Sequence, residues 1–198
     1  MITKIIKYLK SKEQLYLLLQ VLFLFKNTRL RKVSGLKKKY PRVIQLPITY
    51  KCNSKCVMCN IWKMNSDDEM DVETFRKVMK SELFKKVIAV GINGGEPSLV
   101  KQLPEYIDAV LLLPKLKSLS IISHGFNQKL LLPQLKSIYQ KAKKAGVTFH
   151  VSISLDGVGD IYNKVRGLKV FHVTASTIDE INNNKSQSRI SMHNECKK

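Results

Sequence analysis

The sequence predicts an α/β protein in which short strands alternate with helices and form a parallel sheet. Short β-branched and apolar runs recur along the chain, helical segments separate them, and glycine or proline marks several boundaries. The predicted strands are residues 43–49, 86–92, 119–123, 147–155 and 189–193. The alternation alone fits a doubly wound sheet and a partial barrel equally well.

Four helices are predicted, and three of them carry a signal at one end. Asp71 is a good N-cap, and Pro104 suits the first position of the next helix. A longer helix stops at Gly146, a residue type that commonly follows a helix C-terminus. The predicted helices are residues 71–80, 104–113, 129–145 and 170–182.

Residues 1–42 form a separate segment that is basic and partly apolar. Residues 1–50 carry twelve Lys or Arg and one acid, Glu13, so they hold +11 of the net charge of +20. A helix over the apolar run 15–25 would be about 16 Å long, too short for a hydrocarbon core of about 30 Å. We expect a helix that lies in a membrane interface or caps the main domain, with a signal or anchor as the third alternative. A basic linker to residue 42 follows, and the main domain covers residues 43–198.

Composition and charge exclude some classes of function. An apolar content of 44% and an aromatic content of 8% argue against disorder of the whole chain. A basic excess fits a nucleic acid, an anionic membrane surface or an acidic substrate. No zinc-finger, helix-turn-helix or aromatic RNA-binding motif accompanies it, which disfavours nucleic acid as a partner. The cysteines do not form a disulfide framework, so we expect a reducing, cytoplasmic location, with peripheral contact to a membrane through residues 1–42 left open.

The most informative run holds three cysteines, Cys52, Cys56 and Cys59, in the spacing C-x3-C-x2-C. Three thiolates this close can hold one cuboidal [4Fe–4S] cluster and leave one iron without a protein ligand. A zinc site with a distant fourth ligand and ordinary buried thiols are the alternatives. Cys196 is interpreted as incidental, because one cysteine cannot hold a cluster.

A second motif, Gly94-Gly95-Glu96-Pro97, directly follows a predicted strand. Loops at the carboxyl ends of parallel strands carry the sites of α/β enzymes, and the cysteine run follows the preceding strand at the same edge. Adjacent glycines let a backbone approach a ligand closely, and Glu96 can accept a hydrogen bond from an ammonium group. A tight strand-to-helix turn is the alternative.

A third run places polar side chains on one face of a predicted strand. Ser152, Ser154 and Asp156 alternate along the chain, and Arg166 follows ten residues after Asp156. On a barrel strand this face would point inward, toward a ligand. A turn at Asp156 and a surface arginine are the alternatives.

Together these runs resemble the radical S-adenosylmethionine (radical SAM) superfamily. The cysteine spacing matches its signature, and residues 94–97 match its GGEP motif letter for letter. The stretch from Ser154 to Arg166 is similar to an S-x-D-G…R-G stretch in members with peptide or complex metabolite substrates. His124 stands where the family usually has Asn, and we assign it no role.

The resemblance implies a partial (β/α)6 TIM-like barrel over residues 43–198, with about five of six strands present and an incomplete C-terminus. Its cofactors would be a [4Fe–4S] cluster on the three cysteines and S-adenosylmethionine (SAM) at the open iron. In the family, the GGEP motif contacts the amino group of SAM. The implied SAM-binding residues are Met58, Gly94, Gly95, Glu96, Pro97, Ser154, Asp156 and Arg166.

The implied reaction is the reductive cleavage of SAM to a 5′-deoxyadenosyl radical, which abstracts a hydrogen atom from an unknown substrate. A small donor such as ferredoxin or flavodoxin would supply the electron, and a peptide or complex metabolite would be the substrate. Two other functions stay open: an iron–sulfur or zinc-binding module without turnover, and a basic interaction protein at a membrane or nucleic acid.

Overall fold

The structure, a computed structural model, describes residues 40–183. The predicted N-terminal helix, most of the basic linker, the strand predicted at 189–193 and Cys196 lie outside the described residues. No helix within residues 40–183 is long and apolar enough to cross a membrane.

Four parallel strands form one sheet in the described part of the chain, in the order β1-β2-β3-β4. They are β1 (Val43–Pro47), β2 (Ala89–Asn93), β3 (Ser118–Ser123) and β4 (Thr148–Ile153). In register, Val90 lies opposite Ile44 and Leu119, and Leu119 lies opposite Phe149. Each strand pairs with its neighbour in sequence, so the order contains no reversal, as in a barrel and unlike a doubly wound sheet.

Five α-helices accompany the sheet within residues 40–183. They are α1 (Val72–Met79), α2 (Leu103–Leu111), α3 (Gln128–Lys144), α4 (Asp160–Arg166) and α5 (Phe171–Asn183). Four match the predicted helices to within two residues at each end. Asp71 is the N-cap of α1, as predicted, since its carboxylate accepts from the amides of Glu73 and Thr74. Pro104 is the second residue of α2, not the first.

Two further local features differ from the prediction. Helix α4 was not predicted because it has only seven residues and because its N-cap, Gly159, has no side chain that could form a capping hydrogen bond. Its end is marked by Gly167, whose φ of +69° is the left-handed conformation that glycine adopts at low cost. Strand β4 ends at Ile153, so Ser154 and Asp156 lie in the loop that follows and not on the strand.

The helices cover one face of the sheet. Val90, Leu119 and Phe149 share a core with Ile107 of α2 and Ile138 of α3. Fully burying a side chain of this size stabilises the fold by about 1.5–3 kcal/mol. In β3 and β4 the alternate residues are less buried, as the burial patterns of these two strands show. Helices on one face only are the arrangement of a barrel wall, which agrees with the predicted partial barrel.

Candidate active site

The loops after all four strands meet around a cavity of about 270 Å3. It gathers ten of the eleven predicted site residues: Cys52, Cys56, Met58, Cys59, Gly94, Gly95, Glu96, Ser154, Asp156 and Arg166. Pro97, the eleventh, is buried at the start of a short 3-10 segment, Pro97–Leu99. Segments far apart in sequence therefore form one site.

The loop after β2 runs against the backbone that leads into the cysteines. The amide of Gly95 donates to the carbonyl of Thr49 at 2.7 Å, and that of Glu96 donates to Lys51 at 2.8 Å. Gly94 has a φ of +123°, and a Cβ on Gly95 would lie 2.1 Å from the Lys51 oxygen. The expected reason for the glycines was room for a ligand. The structure shows that the close approach of two backbones also requires them.

Helix α4 holds the other side of the cysteine loop, residues 52–59. The last carbonyls of a helix lack partners within the helix. Here the Val165 carbonyl accepts from the amide of Val57 at 2.9 Å, and that of Arg166 accepts from the amide of Lys55 at 3.2 Å. A Cβ on Gly167 would lie 2.5 Å from the Lys55 oxygen. The helix that the sequence analysis missed thus helps to shape the predicted metal-binding loop.

Cys56 is the most enclosed of the three thiols. Its sulfur lies 3.0 Å from the hydroxyl of Ser54 and accepts from the guanidinium of Arg166 at 3.4 Å. Cys52 and Cys59 are half-buried, and burial raises the pKa of the Cys52 thiol. Binding to a metal would reverse this preference, because a coordinating thiol is deprotonated.

The donor set fits an iron–sulfur cluster. Three sulfurs open onto one cavity, and the guanidinium of Arg166 donates a hydrogen bond that offsets negative charge on the sulfur of Cys56. Among residues 40–183, no group of three His, Cys, Asp or Glu is placed to hold a single metal ion.

Arg166 sits between the cysteine loop and the loop after β4. Its guanidinium pairs with the carboxylate of Asp156 and lies 5.4 Å from the centre of the Tyr162 ring. The Tyr162 hydroxyl donates to the carbonyl of Ser154 at 3.3 Å. Within the described residues, Arg166 Nε is buried without a hydrogen-bond partner. It is a donor that a bound anion could use.

Glu96 is engaged by protein donors. Its side chain is 1% exposed. One oxygen accepts from the amide of Ser98 and, at 2.7 Å, from the hydroxyl of Ser123; the other accepts from the amide of His124 at 2.9 Å. A carboxylate has about four acceptor positions, and with Nε2 of His124 at 3.2 Å from the second oxygen, protein donors surround all four. The predicted contact of Glu96 with an amino group stays a prediction.

His124, to which the sequence analysis gave no role, lines the cavity. Its Nε2 lies 2.7 Å from Asn53 Oδ1 and 3.2 Å from the carboxylate of Glu96. Burial lowers the pKa of His124 to about 4, against the opposing effect of the Glu96 carboxylate. Its position directly after β3 was the signal that could have found it, since that edge carries the site. Asn53 offered no comparable signal.

Helix α5 donates two side-chain hydrogen bonds to the backbone of the loop after β3. Thr174 and Thr177 are fully buried, and their hydroxyls donate to the carbonyls of His124 and Gly125 at 3.3 and 2.7 Å.

Met58 is 61% exposed at the rim of the cavity. Trp62 donates from its indole to the carbonyl of Cys59 at 3.0 Å, which closes the cysteine loop.

Known proteins are similar to part of this sequence. The family model described as Radical SAM superfamily matches residues 46–190. A probable GTP 3′,8-cyclase of Methanococcus maripaludis is 33% identical over 127 residues, which are 63% of this chain and 40% of that protein. The GTP 3′,8-cyclase of Clostridium acetobutylicum is 30% identical over 147 residues, 70% of this chain and 41% of that protein. The chain spans less than half the length of these relatives.

Two solved structures share the fold at low sequence identity. Streptococcus suis SuiB bound to S-adenosylmethionine has a TM-score of 0.60 and 18% identity, over 84% of this chain and 36% of SuiB. Native anSMEcpe with bound AdoMet and the Cp18Cys peptide has a TM-score of 0.55 and 21% identity, over 75% of this chain and 41% of that one. Both likenesses agree with the partial barrel.

Proposed function

Because the chain belongs to the radical SAM superfamily, whose cofactors are a [4Fe–4S] cluster and SAM, we propose that it cleaves SAM reductively and takes a hydrogen atom from a substrate. When bound, these cofactors supply a 5′-deoxyadenosyl radical, and the protein positions them and limits side reactions. One observation carries the proposal: a single cavity gathers the three thiols, the glycine loop after β2 and the arginine of α4.

Cys52, Cys56 and Cys59 would hold the cluster. The hydrogen bond from the Arg166 guanidinium to the sulfur of Cys56 supports this assignment, because a donor to a ligating sulfur stabilises its negative charge. Cys56 is buried whereas Cys52 and Cys59 are half-buried, and the buried thiol is the one that accepts from the guanidinium. This is the arrangement that a low-dielectric site needs for a charged ligand.

The remaining cavity residues would bind SAM. Gly94 and Gly95 leave the backbone of the loop after β2 accessible, and Glu96 would place a carboxylate toward an amino group at the cavity. Arg166, with its free Nε, suits a carboxylate. Ser154 and Asp156 lie beside it at the cavity, while exposed Met58 is a polarizable side chain that can pack on an adenine ring.

Anaerobic reconstitution tests the cluster. We expect about four irons with inorganic sulfide per chain, and their loss when Cys52, Cys56 and Cys59 are replaced by Ala. Cys196→Ala is the matched control and should load normally. Stoichiometric zinc without sulfide would instead establish the alternative of a zinc-binding module.

SAM binding and turnover need separate measurements on the loaded full-length chain. SAM should perturb the electron paramagnetic resonance (EPR) signal of the reduced cluster, and reductant should then yield 5′-deoxyadenosine. An unchanged signal at saturating SAM would count against this site. Binding without 5′-deoxyadenosine would mean that the chain holds its cofactors without turnover.

The proposed partners are an electron donor and a substrate. Ferredoxin or flavodoxin would supply the electron, and a peptide or complex metabolite would be the substrate. The names of the curated relatives make GTP the first metabolite to test. We expect GTP to stimulate 5′-deoxyadenosine formation more than ATP does, and equal rates with both nucleotides would remove this substrate.

Peripheral contact with anionic membranes is proposed for residues 1–42. The support is the charge of +11 in residues 1–50 and the apolar run at 15–25. Binding to anionic vesicles should fall with salt and with deletion of residues 1–30. If that deletion changes nothing, the segment does not mediate membrane contact.

A further inference from the structure

We infer that His124 is a positioning residue that links the cysteine loop to the loop after β2 and so sets the SAM site. The inference rests on the proposed function. The side chain of His124 lies between Asn53 of the cysteine loop and Glu96 of the loop after β2.

The hydrogen bonds of the imidazole fix the position of its proton. Nδ1 accepts from the amide of Phe126 at 3.0 Å, so the ring proton lies on Nε2 when the ring is neutral. Nε2–H then donates to Asn53 Oδ1 at 2.7 Å, with Glu96 Oε2 at 3.2 Å as a second acceptor. The neutral ring is therefore a shared donor between two loops. The depressed pKa of His124 keeps it neutral at physiological pH.

The link reaches a part of the cysteine loop that the backbone bonds do not. The bonds from Gly95 and Glu96 end at Thr49 and Lys51, before the first cysteine. Asn53 lies between the first and second cysteines. The side chain of His124 thus extends the contact between the two loops past Cys52, to a residue between two of the predicted cluster ligands.

The imidazole is held rigidly enough to transmit this position. It is 5% exposed and stacks on the Phe126 ring, with 3.7 Å between ring centroids and 26° between ring planes. Thr174 of α5 donates to the carbonyl of His124 at 3.3 Å. A fixed donor loses little conformational entropy when it bonds, so its hydrogen bonds can define a loop position.

Two substitutions of His124 distinguish the bond that Nε2 makes to Asn53 from the local bond that Nδ1 accepts from Phe126. In His124→Asn, the short amide can still accept from Phe126, but its amide nitrogen does not reach the position of Nε2. In His124→Gln, the longer side chain brings an N–H near that position. Asn53→Ala removes the acceptor from the other side, and exposed Asn65→Ala is its matched control.

The first readout is SAM affinity, from the EPR change of the reduced, loaded full-length chain. We expect the dissociation constant to rise about fivefold in Asn53→Ala and His124→Asn, as for the loss of one net hydrogen bond. His124→Gln should stay within about twofold of wild type, and the double variant Asn53→Ala/His124→Asn should be no weaker than either single variant.

The second readout is amide hydrogen exchange of residues 50–60 in the protein without cofactors. Exchange should be faster in Asn53→Ala and His124→Asn than in wild type and Asn65→Ala, and by more than the accompanying loss of overall stability, measured by urea unfolding, accounts for. If the EPR signal of the wild-type protein does not change with SAM, the proposed function fails. The hydrogen-exchange rates then test by themselves whether His124 connects the two loops. Unchanged exchange, or additive losses in the double variant, would overturn the inference.

Discussion

Replacing Gly95 by Ala adds one methyl group at the most crowded contact of the site. Gly95 needs no left-handed backbone, so the effect is steric and comes from what the methyl meets. The new Cβ would lie 2.1 Å from the carbonyl oxygen of Lys51 and 2.8 Å from that of Tyr50. Both atoms belong to the backbone, which cannot turn away as a flexible side chain can.

The expected displacement follows from these distances. Ordinary contact begins near 3.4 Å, so the Lys51 oxygen, at 2.1 Å, must retreat by about 1.3 Å. That movement stretches the 2.8 Å bond from the Glu96 amide beyond the limit of about 3.2 Å. The neighbouring bond from Gly95 to Thr49 is strained by the same shift. At about 1 kcal/mol net for each bond, the free energy of unfolding should fall by about 2 kcal/mol.

The assay combines urea unfolding with iron and sulfide analysis after anaerobic reconstitution. Gly95→Ala should lose stability and load less cluster, because Lys51 immediately precedes Cys52. Gly146→Ala is the control: its φ is +69° and nothing lies within 4 Å of the added methyl. That variant should lose roughly 1–2 kcal/mol from left-handed strain alone and load a full cluster.

Two results would refute the steric reasoning. Normal stability and normal iron content in Gly95→Ala would show that the two backbones separate at no cost. Normal cluster content with lost SAM binding would show that the glycine serves the ligand only, as the sequence analysis expected. Either outcome would separate the role of Gly95 from the placement of the cysteine loop.

Three further predictions concern the surroundings of the cavity. Burial holds the pKa of His124 at about 4, below its ordinary value of 6.5. The unfolded chain therefore takes up the proton first, and stability should fall as pH drops from about 6.5 toward 4, by up to about 1.4 kcal/mol per pH unit. In urea titrations His124→Asn should flatten this dependence, and an unchanged slope would assign it to other groups. Thr177→Val leaves the Gly125 carbonyl without its 2.7 Å donor and should cost about 1–3 kcal/mol in urea unfolding; a neutral effect would mean that the bond does not stabilise the loop. Arg166→Gln removes a positive charge beside the sulfur of Cys56 and should make the reduction potential of the cluster more negative in an EPR redox titration, whereas a shift to more positive values would contradict the contact.

The sequence by itself determined the features that depend on neighbours along the chain. The cysteine spacing, residues 94–97 and the Asp71 cap are each contained within a few residues, so their chemistry could be recognised without coordinates. The alternation of strands and helices predicted the parallel sheet, because burial on a sheet face and a helix face has a local period. Ten of the predicted site residues met at one cavity because loops at the carboxyl edge of parallel strands converge.

Only the tertiary structure decided the contacts between distant segments. Asn53 and His124 are 71 positions apart, and Ser54 bonds to Arg166 across 112 positions. No local pattern carries such pairs: the position of His124 directly after β3 places it at the edge that carries the site, but its partners lie in other loops. The need for glycine at position 95 depends on a backbone that approaches from another loop. The sheet order that favours a barrel over a doubly wound fold was decided in the same way, since strand neighbours are chosen by burial across the whole domain and not by the sequence of any one strand.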